Sequence, residues 1–357
     1  MGDKFGFWLQ FKFSIKRGIN TMGEKLFKVG FVGLGGQAKE QAEHVTHTKY
    51  GVVTAICDSN LKILEDLPDY LSDAEVFTDY KEMIDQCELD AVFICVPHNL
   101  HKDIALYALS HGLHVLKEKP LACNYDEGLQ IVQASNHYKR SVITLTQRRN
   151  HNSYVKAKEM LDSLGDVFLI RGEYTFNGGP YDFGWRGVKD IAGGGAILDM
   201  GYHVLDLIVW YFGLPAEVHA YMSNTARPDV TYETEDTAIL TFKTNGGALG
   251  NLNLSRATQP KKEELFVHGS KGVLHITRTK VTRLNLDGTT GEIIESDRSW
   301  DLPIRTQIDD FIQNIKNGIM QDGSSHLDHL LLCDGAYQSV VEKQSVVLEQ
   351  KELVSMK

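Results

Sequence analysis

Cysteine is scarce, with five in 357 residues. Cys57, Cys87, Cys95, Cys123 and Cys333 form no CxxC pair and no spacing suited to zinc, and Cys57 and Cys95 sit inside apolar, strand-like runs. They read as reduced thiols of a cytoplasmic protein, and no metal is implied. Basic residues are also in deficit: 37 Lys and Arg stand against 47 Asp and Glu, a net charge of -10. That balance opposes nucleic-acid or anionic-membrane binding, both of which want a basic face. No apolar run approaches the roughly 18 to 20 residues that cross a bilayer. The opening MGDKFGFWLQFKFSIKRGIN is aromatic and basic, but Lys4, Gln10, Lys12 and Lys16 interrupt it before a secretory apolar region can form. With Met22 just ahead of the first regular strand, residues 1–24 read as an extension, either an arm on a neighbouring subunit or a translated leader. Repeats and low-complexity tracts are missing too. What remains is ordinary globular composition, 42% hydrophobic and 24% charged, in a chain long enough for two domains.

The first half alternates strand and helix. An apolar strand from Val29 to Val32 runs into Gly33, Gly35 and Gly36; a helix follows to about Thr48, then a second apolar strand from Val52 to Cys57 that ends in Asp58. This is one βαβ unit. Glycines at such a turn allow the backbone to touch a pyrophosphate, whose charge then rests on the amides of the helix N-terminus. The pattern is G-x-G-x-x-A, with Gln37 inside it and Ala38 in the third place, and Asp58 lies 23 positions beyond Gly35. A carboxylate there accepts from ribose hydroxyls and repels a 2'-phosphate, which points to NAD.

Further strands are expected at 75–77, 91–96, 113–116 and 142–146, joined by helices, so a doubly wound parallel sheet spans residues 25–148. Ligands bind such sheets outside the strands' carboxyl ends. Pro97 to His101, Glu118 to Pro120 and Gln147 to Arg149 fall at those ends. Most lysines are solvated surface charges. Lys119, held between Glu118 and Pro120, instead points to the cofactor crevice, where it could hold a substrate hydroxyl and stabilise an alkoxide.

Residues 149–357 change character. After the glycine- and aromatic-rich NGGPYDFGWRG comes GGGAILDMGYHVLD, in which Asp199 and His203 stand four residues apart. On a regular helix they share a face, and a carboxylate that accepts from one imidazole nitrogen leaves the other to exchange a substrate proton. The same pattern also fits a capped helix with a satisfied core histidine. Strands are expected at 166–174, 217–222, 237–243, 248–255, 263–268, 272–277 and 280–286, with helices at 154–164, 306–317 and 327–349. The fold class is α/β: the parallel sheet is followed by an α+β domain with a large, mostly antiparallel open sheet. Asn177, Tyr181, Asp182, Arg186 and Arg149 are candidates to reach a polyhydroxylated ligand.

Together GLGGQA, VPHNLH, Glu118-Lys119-Pro120, Trp185-Arg186 and GGGAILDMGYHVLD stand in the order and spacing of the Gfo/Idh/MocA family of NAD(P)-dependent oxidoreductases, which the chain resembles from about Lys28 almost to its C-terminus. The resemblance implies a Rossmann domain followed by a domain whose sheet forms subunit contacts, hence a homo-oligomer, dimer or tetramer. It places Lys119, Asp199 and His203 on catalytic positions; Pro97, Asn99, His101 and Glu118 line the cofactor, and Trp185 and Arg186 lie near it, while Gln147 is a cofactor candidate by its place at a strand's carboxyl end. Ala38 departs mildly from the usual third glycine. The activity implied is oxidation of a secondary alcohol on a cyclic polyol or sugar, with either His203 or Lys119 as base. The rival expectations are a relay enzyme that retains its NAD and a non-catalytic NAD-bound regulator.

Overall fold

Six parallel strands, β1 (Phe27–Val32), β2 (Gly51–Cys57), β3 (Glu75–Phe77), β4 (Ala91–Ile94), β5 (His114–Lys117) and β6 (Val142–Thr144), lie in the order β3-β2-β1-β4-β5-β6. The computed structural model describes residues 25–350; the expected extension at residues 1–24 lies outside the described residues. All four residues of β4 are buried, as expected of a strand covered by helices on both faces. The chain runs outward in both directions from the β1/β4 junction, so a crevice opens there at the strands' carboxyl ends.

One face of this sheet is covered by the helix Gly36–His47 and, from far along the chain, by the helix Asp301–Lys316. Ile304, Ile308, Phe311 and Ile312 form an i, i+4, i+7, i+8 stripe that packs with Phe27, Phe31, Ala38 and Ala42. Phe31 stacks on Phe93 with centroids 4.5 Å apart.

The second sheet has nine strands in the order β14-β13-β12-β11-β7-β10-β9-β8-β15. They are β7 (Val167–Asn177), β8 (Glu217–Ser223), β9 (Thr237–Lys243), β10 (Leu249–Ser255), β11 (Ala257–Gly269), β12 (Gly272–Thr277), β13 (Lys280–Leu284), β14 (Thr290–Glu295) and β15 (Val346–Val347). Every pairing is antiparallel except β7 with β10. The helices Tyr202–Phe212 and Leu327–Glu342 cover one face; Val218, Ala220, Leu240, Phe242, Leu252 and Leu254 point inward, while Tyr221, Ile239 and Leu249 are exposed on the other.

Two elements differ from expectation. The last helix stops at Glu342, because Lys343 adopts a left-handed φ of 56° and Val346–Val347 pair with β8. An apolar pair two residues long carries no period of its own, so only the edge of β8 reveals it as a strand. The other is β14, a mostly exposed edge strand whose sequence lacks the apolar alternation that marks a half-buried strand.

Candidate active site

At the end of β1 the chain turns through Gly33, whose φ is +86°; a Cβ there would run into the carbonyl oxygen of Cys95. Close approach of two backbones, β1 and β4, therefore requires glycine. Gly35 precedes the helix Gly36–His47, which has no side-chain cap and no acidic residue in its first turn. Its first amides are unclaimed donors at a positive dipole end. A Cβ on Gly35 or Gly36 would meet nothing within 4 Å. Asp58, one residue past β2, is pinned beside this turn: Oδ2 accepts from the Leu34 amide (2.7 Å) and Oδ1 from the Asn60 amide (2.8 Å). Open space over two glycines, an uncapped helix start and a carboxylate at the second strand's end fit a dinucleotide whose pyrophosphate rests on the amides.

Lys119 leaves the end of β5 and reaches across to residues of the second half. Its Nζ donates to both the carbonyl oxygen and Oδ1 of Asp199, each at 2.7 Å. Asp199 lies in Ala196–Gly201, a buried π-helical turn in which the Met200 amide reaches back to the Gly195 carbonyl at 3.2 Å. Glu235 caps this turn by accepting from the amides of Gly195 (3.0 Å) and Ile197 (2.8 Å). Arg186 Nε stands 3.1 Å from Asp199 Oδ2, and His98 Nε2 stands 3.6 Å from Oδ1. Burial alone would raise the pKa of Asp199, but Lys119, His98 and Arg186 outweigh it and hold the carboxyl well below its ordinary range.

His203 is the second residue of the next helix, Tyr202–Phe212, with its ring beside Tyr174 at 6.3 Å. The expected Asp199–His203 hydrogen bond is not formed among the described residues. A π-helical turn widens the spacing, so residues four apart no longer stack as on a regular α-helix, and the Asp199 carboxylate turns to Lys119 and Arg186 instead. Burial, then Arg148 and Lys119, push the pKa of His203 well below 6.5, which leaves its ring neutral at pH 7.

These groups share one cleft of about 920 Å³. Gly33, Gly35, Gly36, Gln37, Ala38 and Asp58 line its glycine-turn end, Pro97 and Glu118 its middle, and Lys119, Trp185, Arg186, Asp199 and His203 the other end. Asn99, His101 and Gln147 are not among its lining residues. His101 is fully buried: Nε2 lies 3.0 Å from the Val96 carbonyl oxygen and Nδ1 2.8 Å from the buried Lys117 Nζ, so it braces the loop from beneath. Asn99 is exposed and Gln147 half-buried, each on a short turn beyond its strand.

Of the ligand-reaching candidates only Arg186 faces the cleft. Arg149 clamps Asp206 (3.1 and 2.9 Å), which also meets His329 (2.7 Å), and Asn177 Oδ1 accepts from Arg227 (2.6 Å). Asp206, His326 and His329 lie close enough to gather on one ion, but the Arg149 guanidinium already supplies the cation there. Sequence reasoning did not select His98, Tyr174, Phe183, Met200 or Arg256 as lining residues. His98 donates from Nδ1 to the Ala192 carbonyl (2.8 Å), and burial lowers its pKa to about 4. It carried a usable signal, since it follows Pro97 at a strand's carboxyl end; Arg256, at the exit of β10, carried none.

Residues 27–145 match the profile of the "Oxidoreductase family, NAD-binding Rossmann fold" and residues 154–275 the "GFO/IDH/MocA C-terminal domain". The chain is 26% identical to myo-inositol 2-dehydrogenase of Thermotoga maritima over 90% of its own length and 99% of the relative's. It is 23% identical to D-glucoside 3-dehydrogenase of Escherichia coli, over 69% of this chain and 75% of that one. Among solved structures, levoglucosan dehydrogenase in complex with NADH superposes with a TM-score of 0.82 at 20% identity, covering 92% of this chain and 100% of that one. The myo-inositol 2-dehydrogenase of Lactobacillus plantarum gives 0.77 at 25% identity, covering 91% and 100%.

Proposed function

The chain belongs to the GFO/IDH/MocA oxidoreductase family, and from that premise we propose that its cleft is the active site of an NAD-dependent dehydrogenase acting on a secondary alcohol of a sugar or cyclic polyol. The observation that carries the reading is the Lys119–Asp199 ion pair, at 2.7 Å, in the same cleft as an open glycine turn and the Asp58 carboxylate. Gly35, Gly36, Gln37 and Ala38 present amides to the pyrophosphate, Gly33 lets the turn close, and Asp58 takes the ribose hydroxyls. Pro97, Glu118, Trp185 and Arg186 form the walls around the reactive end. When bound, NAD supplies the hydride acceptor.

The protein's own residues handle the proton and the oxygen. Lys119 spends two N–H groups on Asp199 and has one left for the substrate oxygen, where it favours the developing alkoxide. His203, neutral at pH 7, accepts the hydroxyl proton. Asp199 positions Lys119 and Arg186 rather than the imidazole.

The two functional units we infer are residues 25–148 and 149–357, the second lending the helix Asp301–Lys316 to the first. Exposed Tyr221, Ile239 and Leu249 on the open sheet face support a homo-oligomer, dimer or tetramer, built through that face. Free cysteines support a cytoplasmic location, and no helix among the described residues is long and apolar enough to cross a membrane.

The test is a count of NADH formed per substrate consumed across a panel of polyols, sugars and sugar derivatives. One NADH per product, from protein that loses its nucleotide on dialysis, is expected. Many turnovers without net NADH, from protein that keeps its nucleotide, would establish the relay reading instead.

A further inference from the structure

The substrate end of the cleft holds more positive charge than its own carboxylates cancel. Lys119 and Arg186 both converge on one carboxylate, Asp199, with His98, neutral at pH 7, beside it. Arg256 enters the same end from β10 and is 3% exposed. Its Nη1 donates to the Arg186 carbonyl (3.3 Å), and its Nη2 to the carbonyl (3.4 Å) and Oγ1 (2.5 Å) of Thr234, all uncharged acceptors. Its Nε is buried with no partner, and no carboxylate among the described residues lies within ion-pair distance of it. Asp199 first, then Glu235 and Asp236, act on it from beyond that distance, and Asp199 is already shared by Lys119 and Arg186. Glu235 is committed to the Gly195 and Ile197 amides and the Tyr337 hydroxyl; Asp236 accepts from the Ala226 amide and the Tyr232 hydroxyl through Oδ2, while its buried Oδ1 has no partner among the described residues.

A buried guanidinium normally has its counter-ion beside it. Here its neighbours deepen the excess: Phe183 lies between Arg256 and Arg227, with each guanidinium carbon 3.9 Å from the ring centroid, and Arg227 too donates only to uncharged oxygens, those of Pro180, Tyr181 and Asn177. Arg186 is the one of the three whose two terminal nitrogens are both free among the described residues. It is half exposed, stacked 4.3 Å over Trp185, and its terminal nitrogens donate to no described residue.

We propose that the missing counter-ion arrives on the substrate: a sugar or polyol acid whose carboxylate is held by the terminal nitrogens of Arg186, in the field of Arg256, while its secondary alcohol faces Lys119 and His203. Two coplanar free donors match the two oxygens of a carboxylate. This assignment rests on the dehydrogenase reading and narrows its substrate class.

The experiment compares matched pairs, D-glucuronate with D-glucose and D-galacturonate with D-galactose, together with glucose 6-phosphate. Binding to NADH-loaded protein is measured by calorimetry, and turnover with NAD by NADH formation. The acid of at least one pair should bind about tenfold more tightly than its neutral partner, an advantage of about 1.4 kcal/mol that shrinks as salt is raised. Arg186→Gln should abolish that advantage, and Arg186→Lys, which keeps the charge and loses the fork, should restore only part of it. Equal or better binding of the neutral sugars, preference for the sugar phosphate, binding of no acid at millimolar concentration, or an Arg186→Gln variant that weakens both members equally would each overturn the proposal. Acids that bind with the expected selectivity but form no NADH would instead count against the dehydrogenase reading alone.

Discussion

Lys119 Nζ lies 2.7 Å from Oδ1 of Asp199, a residue 80 positions away on the other half of the chain. The pair joins the carboxyl end of β5 to the π-helical turn after the glycine run, so the two halves are tied together at the reacting end of the cleft.

Breaking that pair separates catalysis from cofactor binding. Lys119→Ala should lower kcat by roughly 10²- to 10⁴-fold while leaving NAD affinity within about threefold, because its donor faces the substrate oxygen. Asp199→Asn should also lower kcat, since an amide leaves Lys119 and Arg186 without their shared counter-charge. Steady-state kinetics beside a nucleotide titration checks both; a Lys119→Ala variant of near wild-type rate would remove the lysine from the mechanism.

His203→Ala should cost a similar roughly 10²- to 10⁴-fold in kcat if its ring takes the proton. Because burial holds the folded ring neutral, activity should stay flat as pH falls from 8 to 6.5, and its acid limb should lie well below 6.5. An acid limb centred at or above 6.5 would assign the proton to another group.

Stability should fall on mild acidification. His98 has a folded pKa of about 4 against an ordinary 6.5, and burial also holds His101, His203 and His326 well below 6.5. Between those values the unfolded chain binds protons that the folded one refuses, so stability is intact above about pH 6.5 and is lost as pH drops toward 4. Each such histidine costs up to about 1.4 kcal/mol per pH unit in that window. Asp199 and Asp206, held below 3.8, add a loss only under about pH 4. Denaturant melts at pH 7.5, 6 and 5 should show a steady decline; a midpoint unchanged from 7.5 to 5 would contradict the burial of these rings.

The two glycines of the turn should behave oppositely. Gly33→Ala places a Cβ against the Cys95 carbonyl at a left-handed φ and should destabilise the fold by several kcal/mol. Gly35→Ala meets only open space and should leave Tm within a few degrees, yet weaken NAD binding about tenfold or more by filling the cradle. Thermal melts with and without nucleotide separate the two effects.

Asp58 should make NAD preferred over NADP by about a hundredfold or more, since a 2'-phosphate would face like charge there. Asp58→Ser should erode that ratio chiefly by weakening NAD. Equal affinities of the unaltered protein for the two nucleotides would sink the assignment.

What the sequence determined by itself is what local periodicity and backbone stereochemistry encode. The apolar run Val29 to Val32, the glycines at 33, 35 and 36, and Asp58 at the second strand's end mark one βαβ unit, and the repeated strand-helix alternation sets the parallel sheet. Lys119, Asp199 and His203 stood out because short patterns surround them. Tertiary structure alone decided what those residues touch. Asp199 bonds Lys119 rather than His203, because a glycine run capped by Glu235 winds the chain into a π-helical turn that four-residue spacing cannot anticipate. His101, next to cleft residues in sequence, is turned inward by the buried Lys117, while Asn99 faces solvent from the same short turn. Arg256, 57 residues beyond Asp199, reaches the cleft only because β10 and β7 lie side by side. Contacts between residues 50 to 100 positions apart depend on how sheets and helices pack, and packing is a property of the whole chain that no local window of sequence contains.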